Sequence, residues 1–569
     1  MFGKIQKILE NDIMILEKGG QNMKSLPIGV DDYRDIQDYY YVDKTLFIKE
    51  LIDSHLHKSV LITRPRRFGK SLTLSMVEYF FTIEMDSSAI FKGKKIMETG
   101  PQYLAHMNAY PVVHLNMRDV NGETKEEILD KAINAISVLY RKYGFLSRDE
   151  RLFEIDRDYY FSVANKKFDK LYEYQDAIKK LCYMLYVHYG KRAILLIDEY
   201  DRPIEDAFKH DVYDECMPFF KELYSNALKG NEYVLFSLVS GVLQISKESL
   251  FSGLNNLEVF SVIDRECAQY FGFTEEEVRT MLKDLGVNAL FENLRTWYGG
   301  YCFGGGIELF NPWSILNYIQ KSEIRRYWAN SGTNSLLYRI VTDANLMSVV
   351  NSSSKVVIDN SLSYRDFADD ANVIFSYLVQ AGYLVARYDA APNIYEVRVP
   401  NREIYELFKR DIIGKSIKPS LIDAASLLRT AFAEGDTKKI DEVLEGYIVS
   451  SFSYYDLRNE KDYQNIMTGI LAVLFDSHVV RSENNGPLGR ADIVISPKKE
   501  KDVGAVLEIK YADYPLSDTR LADSASAAIN QIKRKRYFLE LRQRNCSKIY
   551  LFGIAFDSLK KHKTKIEEE

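Results

Sequence analysis

Cysteine is scarce, at five in 569 residues, and Cys182, Cys216, Cys267, Cys302 and Cys546 form neither a CxxC pair nor a Cys/His spacing. That scatter argues against a zinc ligand set and a disulfide framework and points to a reducing cytoplasm. Long apolar runs are missing too. None approaches the roughly 18 residues that a membrane span requires, and the start lacks the apolar stretch of a signal peptide. Nor is there a charge excess that would act over the whole surface. A formal net charge of −6 and a pI near 5.9 provide no global basic field, so any contact with nucleic acid has to be local. What the chain does have is length and apolar content. Its 569 residues, 46% of them hydrophobic, suffice for three or four domains with real cores. The forty tyrosines read as compositional bias beside the Lys, Asn and Ile usage.

Chemistry first becomes visible near the C-terminus. Ala491 to Ile495 is apolar apart from Asp492, Ser496 to Asp502 is a polar turn with Pro497 and three lysines, and Val503 to Ile509 is again mostly apolar and β-branched. This predicts a hairpin. Side chains alternate faces along a strand, so Glu508 and Lys510 point the same way, with Asp492 opening the partner strand. Two carboxylates that hold Mg²⁺ and an adjacent ammonium are what phosphodiester hydrolysis needs. A Glu-x-Lys pair on a solvated strand face is the bland alternative. Glu483 lies nine residues before Asp492, Glu460 starts an apolar helical stretch, and a further helix carries Gln531. This helix-strand-strand-helix order over Glu460 to Phe556 resembles the PD-(D/E)XK nuclease superfamily, with Ala491 where the superfamily's name has proline. The resemblance implies that Asp492, Glu508 and Lys510 are catalytic, that Gln531 supports them, and that Glu460 or Glu483 adds a metal ligand. The basic run Lys533 to Arg536 can contact phosphates or be a solvated helix face.

A second constellation lies far upstream. Ser59 to Thr63 reads as a buried strand, followed by Arg64-Pro65-Arg66-Arg67-Phe68-Gly69-Lys70-Ser71 and a helix to Phe81. Strand, loop, Gly-Lys-Ser and helix make a P-loop: backbone N–H groups cradle phosphates, Lys70 reaches the terminal phosphates, and Ser71 coordinates Mg²⁺. The usual first glycine falls at Arg64. A non-glycine residue in the left-handed region costs about 1–2 kcal/mol, so the start of this loop must be shaped differently, Pro65 being one means. The strand Arg192 to Ile197 ends in Asp198-Glu199-Tyr200-Asp201, a Walker B pattern in which Asp198 holds Mg²⁺ and Glu199 polarises water. Strands at Tyr110 to Leu115 and Tyr233 to Val239 suit an additional-strand P-loop core. Ser240 then stands where such ATPases keep a polar sensor, although a serine before glycine is equally a turn residue.

Tyr41-Val42-Asp43-Lys44-Thr45, Arg64 to Ser71, Leu196 to Asp201, Ser252 to Leu257, Trp297 to Tyr301 and Asn311-Pro312-Trp313 together resemble bacterial AAA-ATPase-like proteins that carry a C-terminal PD-(D/E)XK domain. The resemblance spans nearly the whole chain from Leu26, and the arginine-rich loop is that family's own variant. It implies ATP and Mg²⁺ as cofactors, with Arg66, Arg67, Phe68, Gly69, Lys70, Ser71 and Ser240 binding nucleotide. Catalytic roles fall to Glu199, Asp492, Glu508, Lys510 and Gln531. Metal ligands come from Ser71, Asp198, Asp492, Glu508, Glu460 and Glu483. The implied partner is nucleic acid, DNA ahead of RNA, with no membrane, and a homo-oligomer is compatible; Arg265 is a candidate trans-acting arginine.

Between the two sites, Phe273 to Leu285 and Ala289 to Tyr298 read as helices of a lid, and Gly299 to Gly306 as a hairpin rather than a phosphate loop, since no strand precedes it. Ala371 to Ala386, a turn at Ala391-Pro392-Asn393, Ile394 to Val399 and a helix from Asn401 to Ile412 read as winged-helix-like. Mixed charges there leave no basic face, which favours internal packing over DNA binding. Pro419 to Tyr455 reads as two connecting helices. The expected fold is α/β: a P-loop (additional-strand) ATPase core, a helical and winged-helix-like middle region, and a C-terminal α/β restriction-endonuclease-like domain. Expected boundaries are 1–22 (a leader helix, with Met23 as the native start), 23–260, 261–345, 346–456 and 457–569. The expected function is an ATP-hydrolysing protein coupled to a Mg²⁺-dependent nucleic-acid phosphodiesterase, in defence or the handling of mobile elements. The alternative is an ATP-dependent switch whose nuclease-like domain only binds nucleic acid or protein.

Overall fold

The computed structural model describes residues 25–54, 56, 58–245, 257–329, 354–359, 362, 364, 371–388, 394–408, 427–428, 430–445, 459–474, 478–486, 489–498 and 502–569. The leader 1–22, Ser252 to Leu257 apart from Leu257 itself, and most of Pro419 to Tyr455 lie outside these residues.

Five strands, β1 (Ser59–Thr63), β2 (Val112–Asn116), β3 (Ala193–Asp198), β4 (Val234–Gly241) and β5 (Leu257–Phe260), form one sheet in the order β2-β3-β4-β1-β5. Every pairing is parallel. Their near-continuous apolar runs follow from burial on both faces. Alternate residues serve two cores: Leu61, Leu195 and Ile197 face one, Val60, Ile62, Ile194 and Leu196 the other. Helices α1 (Leu46–Ser54) and α2 (Lys70–Phe81) cover the second face. Helices α3 (Lys125–Lys142), α4 (Ala177–Tyr189) and α5 (Tyr213–Leu228) cover the first. β4 stands between the strand of Lys70 and the strand of Asp198, the additional-strand arrangement expected. β5 is a strand that sequence reading does not anticipate.

Three helices follow, α6 (Glu275–Asp284), α7 (Phe291–Tyr298) and α8 (Pro312–Lys321), around a core of their own. The glycine-rich stretch is the hairpin β6 (Tyr301–Phe303) and β7 (Ile307–Leu309). The winged-helix-like region differs from expectation in two respects. Helix α9 (Ala371–Gln380) stops six residues short of Ala386, because Gly382 at φ +84° turns the chain into a strand. That strand, β9 (Val385–Tyr388), pairs with β10 (Ile394–Arg398), which also pairs with an unanticipated strand, β8 (Ser354–Val357). Helix α10 (Arg402–Leu407) closes the unit. Its core is continuous with that of the P-loop sheet, through Trp328, Leu378, Tyr383 and Ile404.

The C-terminal sheet has the order β11-β12-β13-β14-β15, built from β11 (His478–Gly486), β12 (Gly489–Pro497), β13 (Val503–Ala512), β14 (Lys548–Asp557) and β15 (His562–Glu568). Only β13 and β14 run parallel. Helix α11 (Glu460–Leu474) packs on the face of Ala505, Leu507 and Ile509. Helix α12 (Asp518–Lys535) packs on the face of Val506. Glu508 and Lys510 follow Val506 at period two and therefore face α12.

Candidate functional sites

The phosphate loop is shaped by its arginines rather than by an opening glycine. Arg64 is fully buried. Its guanidinium donates to the carbonyls of Thr63 (2.8 Å), Phe260 (2.7 Å) and Glu266 (3.4 Å) and lies 5.4 Å from the ring centres of Phe271 and Phe303. Burial draws its pKa down to about 10. As expected of a non-glycine at this position, Arg64 is not left-handed; the positive φ values of the loop fall on Arg67 (φ +66°) and Gly69 (φ +85°). Arg67 lies 4.2 Å from the ring centre of Trp313. Arg66 Nη2 donates to both carboxylate oxygens of Glu205, at 2.7 and 2.8 Å, and the Arg66 carbonyl accepts from the Trp328 indole at 2.8 Å. Phe68 packs edge-on to Tyr301 at 5.0 Å. Lys70, at the start of α2, is 7% exposed and donates to the carbonyls of Arg64 (2.9 Å) and Pro65 (3.0 Å). Burial lowers its pKa, against the pull of Glu199, Asp201 and Asp198.

Asp198 ends β3 with no exposed surface. Its Oδ1 accepts from the Ser240 hydroxyl, and its Oδ2 has no hydrogen-bond partner among the described residues. Glu199 has φ +54° and lies 3.7 Å from Arg118. Asp201 is buried and accepts from the N–H groups of Val242 (2.7 Å) and Leu243 (2.8 Å), and burial pushes its pKa up to about 6. A cavity of about 580 Å³ is lined by Arg66, Arg67, Gly69, Lys70, Ser71, Arg118 and Glu199 and by Tyr40, Tyr41, Tyr270, Phe273 and Trp313. That volume and mixture of cations and aromatic faces suit a small organic phosphate. The contributions of Arg118, Trp313 and Tyr270 are not visible in local sequence, since each arrives from a separate element.

The second site forms on the predicted hairpin. Ile493 pairs with Leu507, which sets Asp492 opposite Glu508 in register. Asp492 Oδ2 accepts from the Ile509 N–H at 2.7 Å, and its carbonyl accepts from Gln464 at 2.9 Å. Glu508 is 2% exposed. Its Oε1 accepts from Lys510 (3.3 Å) and from the Gln531 amide on α12, and its Oε2 has no hydrogen-bond partner among the described residues. Burial, then the neighbouring charge of Asp492, pushes Glu508 up to about 7 against the pull of Lys510. For Lys510 burial favours the neutral amine, but Glu508, Glu460 and Asp492 together outweigh it and raise the pKa.

Glu460 reaches Lys510 at 3.5 Å. It does not join Asp492 and Glu508 in a carboxylate trio, and no group of three His, Cys, Asp or Glu side chains among the described residues is set to hold a metal. Glu483 stands in β11 at the register position opposite Asp492, and its side chain lies outside the described residues. A hard divalent cation takes one or two carboxylates and otherwise keeps water, so the partnerless oxygens of Asp198 and Glu508 fit such an ion. Tyr537 was not singled out by sequence. It is 7% exposed, and burial, then Glu508, raises its phenol while Gln531 opposes.

No helix among the described residues is long and apolar enough to cross a membrane. Residues 27–251 match the family described as "predicted AAA-ATPase", and residues 458–567 match the PD-(D/E)XK nuclease superfamily. A curated relative, the uncharacterised protein of the vnfD 5′ region of Azotobacter chroococcum mcd 1, is 27% identical over 552 residues, covering 94% of this chain and 96% of its own. A solved structure, the Walker-type ATPase of Pyrococcus abyssi, aligns at 11% identity and a TM-score of 0.30 over 64% of this chain and 94% of its own.

Proposed function

We propose that this chain, a bacterial AAA-ATPase-like protein with a C-terminal PD-(D/E)XK nuclease-superfamily domain, hydrolyses ATP and uses the nucleotide to control Mg²⁺-dependent cleavage of nucleic acid. DNA is favoured over RNA, the compartment is the cytoplasm, and the setting is defence or the handling of mobile elements. The observation that carries the reading is the convergence of Asp492, Glu508 and Lys510 from one strand pair with Gln531 from α12, a buried carboxylate oxygen of Glu508 having no partner among the described residues. A domain that only binds nucleic acid has no physical need for that arrangement, because a buried carboxylate oxygen without a partner is costly.

At the first site, Lys70 and the α2 N-terminus bind the terminal phosphates and Glu199 orients water. Ser240 fixes the rotamer of Asp198 through its hydroxyl. At the second, Lys510 carries the ammonium beside the scissile phosphate and Gln531 holds Glu508 in place. Mg²⁺, held by Ser71 and Asp198 at one site and by Asp492 and Glu508 at the other, supplies charge neutralisation on phosphate oxygens and an acidified water.

The test incubates the purified chain with single- and double-stranded DNA and RNA, with Mg²⁺ or Mn²⁺, beside Asp492→Ala. The wild type is expected to cut at least one substrate and Asp492→Ala to lose at least about 100-fold in rate, as when a charge-stabilising contact is removed. Cleavage at full rate in Asp492→Ala would refute the site.

A further inference from the structure

Four of the five arginines in the phosphate loop or lining its cavity are engaged elsewhere: Arg64 on backbone carbonyls, Arg66 through one nitrogen on both Glu205 oxygens, Arg67 over Trp313, and Arg202 at 3.6 Å from Asp206. Arg118 also has a partner, Asp31, but it differs from the others in standing beside Glu199. It lies two residues beyond β2, whose last residue Asn116 pairs with Asp198 at the end of β3. The Met117 N–H donates to the Asp198 carbonyl at 2.9 Å, and the Arg118 N–H to the Asn116 side chain at 2.9 Å. The side chain therefore enters the cavity that Lys70, Ser71 and Glu199 line. It is 40% exposed, donates to Asp31, and stands 3.7 Å from the Glu199 carboxylate. That last distance is an ion pair without a hydrogen bond. Glu199 itself sits in the left-handed region at φ +54°, a conformation that persists where surroundings hold it and that clusters at switch sites.

We propose that Arg118 contacts the terminal phosphate of ATP from within the same chain, and that before the nucleotide binds it restrains Glu199. The inference rests on the ATPase reading above and deepens it. A guanidinium has five donors in a fixed fork, and a terminal phosphate offers more charge and more acceptor oxygens than a carboxylate at 3.7 Å. The phosphate therefore displaces Glu199, whose carboxylate is released to orient water. The water oxygen bonds to the terminal phosphorus as the bond to the bridging oxygen breaks. ADP leaves with that bridging oxygen, the product is inorganic phosphate, and the water's proton passes through Glu199 to solvent. Arg118 neutralises charge developing on the transferred group, a role in which arginine contributes about 10³–10⁵ in kcat. Hydrolysis then needs no arginine from a neighbouring subunit.

The test measures steady-state ATP hydrolysis, ADP affinity and thermal stability in Arg118→Ala and Arg118→Lys, and assays equimolar mixtures of Arg118→Ala with Lys70→Ala. Arg118→Ala should lower kcat by about 100-fold or more while ADP affinity and stability hold, and Arg118→Lys should recover part of the loss. The mixture should stay inactive, since neither chain carries both groups. Restored activity in the mixture would assign the arginine to a neighbouring subunit. A wild-type kcat in Arg118→Ala, or loss of ADP binding in both variants, would equally overturn the proposal. A wild type that hydrolyses no ATP removes the ATPase reading itself, and this inference with it.

Discussion

At the residue scale, two kinds of side chain carry this molecule, and they differed in how far sequence exposed them. Asp492, Glu508 and Lys510 were legible because a strand repeats every two residues, so a short string states which side chains share a face. Arg64 was legible only as a puzzle. Its answer, a buried guanidinium that binds three carbonyls, depends on Phe260 and Glu266, some 200 residues away. The mixed charges on the helix that opens at Asn401 include Glu403. It is in fact fully buried, accepting from Ser314 (2.8 Å) and the Trp328 N–H (2.7 Å), with the phenols of Tyr298, Tyr301 and Tyr327 nearby. Burial raises its pKa to about 7, against those hydrogen bonds. The folded state thus binds this proton more tightly than the unfolded state. The stability it contributes is complete below pH 4.5 and is lost as pH rises through about 7. From pH 5 to pH 8, denaturant titrations should find the wild type losing about 2–3 kcal/mol more than Glu403→Gln. Parallel losses in the two proteins would mean that Glu403 titrates normally.

At the element scale, the apolar runs of β1, β3 and β4 were readable, because burial on both faces leaves a continuous hydrophobic signature, and so was the helix that follows the phosphate loop, while α3, α4 and α5 were not. Nor were β8 and β11. β11 is the polar string His478-Val479-Val480-Arg481-Ser482-Glu483-Asn484-Asn485-Gly486 at a sheet edge, where strand pairing rather than composition decides the structure. The early stop of α9 hinges on one glycine. A Cβ at Gly382 would lie 2.7 Å from both Cβ and Cγ of Pro65, the second residue of the phosphate loop. Another close contact joins the same two regions, since the Gln244 N–H beyond β4 donates to the Gln380 side chain at 3.0 Å. Gly382→Ala therefore has to strain its own backbone at φ +84° and push the loop. The expected cost is about 2–4 kcal/mol of stability, with weakened ADP binding, read by denaturation and by titration calorimetry. Unchanged nucleotide affinity in a destabilised variant would separate this contact from the loop's function.

At the scale of the whole molecule, the phosphate loop packs against the region that lies between the two sites in sequence. The phosphate loop touches the middle region at Pro65, Arg66, Arg67 and Phe68, through Gly382, Trp328, Trp313 and Tyr301 respectively. Those contacts give a bound nucleotide a physical path into the middle region, because any shift of a packed loop must be taken up by what packs on it. Sequence named the loop and the order of the parts. It did not reveal that the loop is clasped on four sides: Tyr301 and Trp313 stand in quoted motifs, but no local pattern says that they, Trp328 and Gly382 meet the loop. The claim that ATP governs cleavage is tested most directly by one comparison, the initial cleavage rate with and without ATP in the wild type and in Lys70→Ala. The account predicts a rate that changes several-fold with ATP in the wild type and does not respond in Lys70→Ala. Equal rates with and without ATP in a wild type that cuts would contradict it.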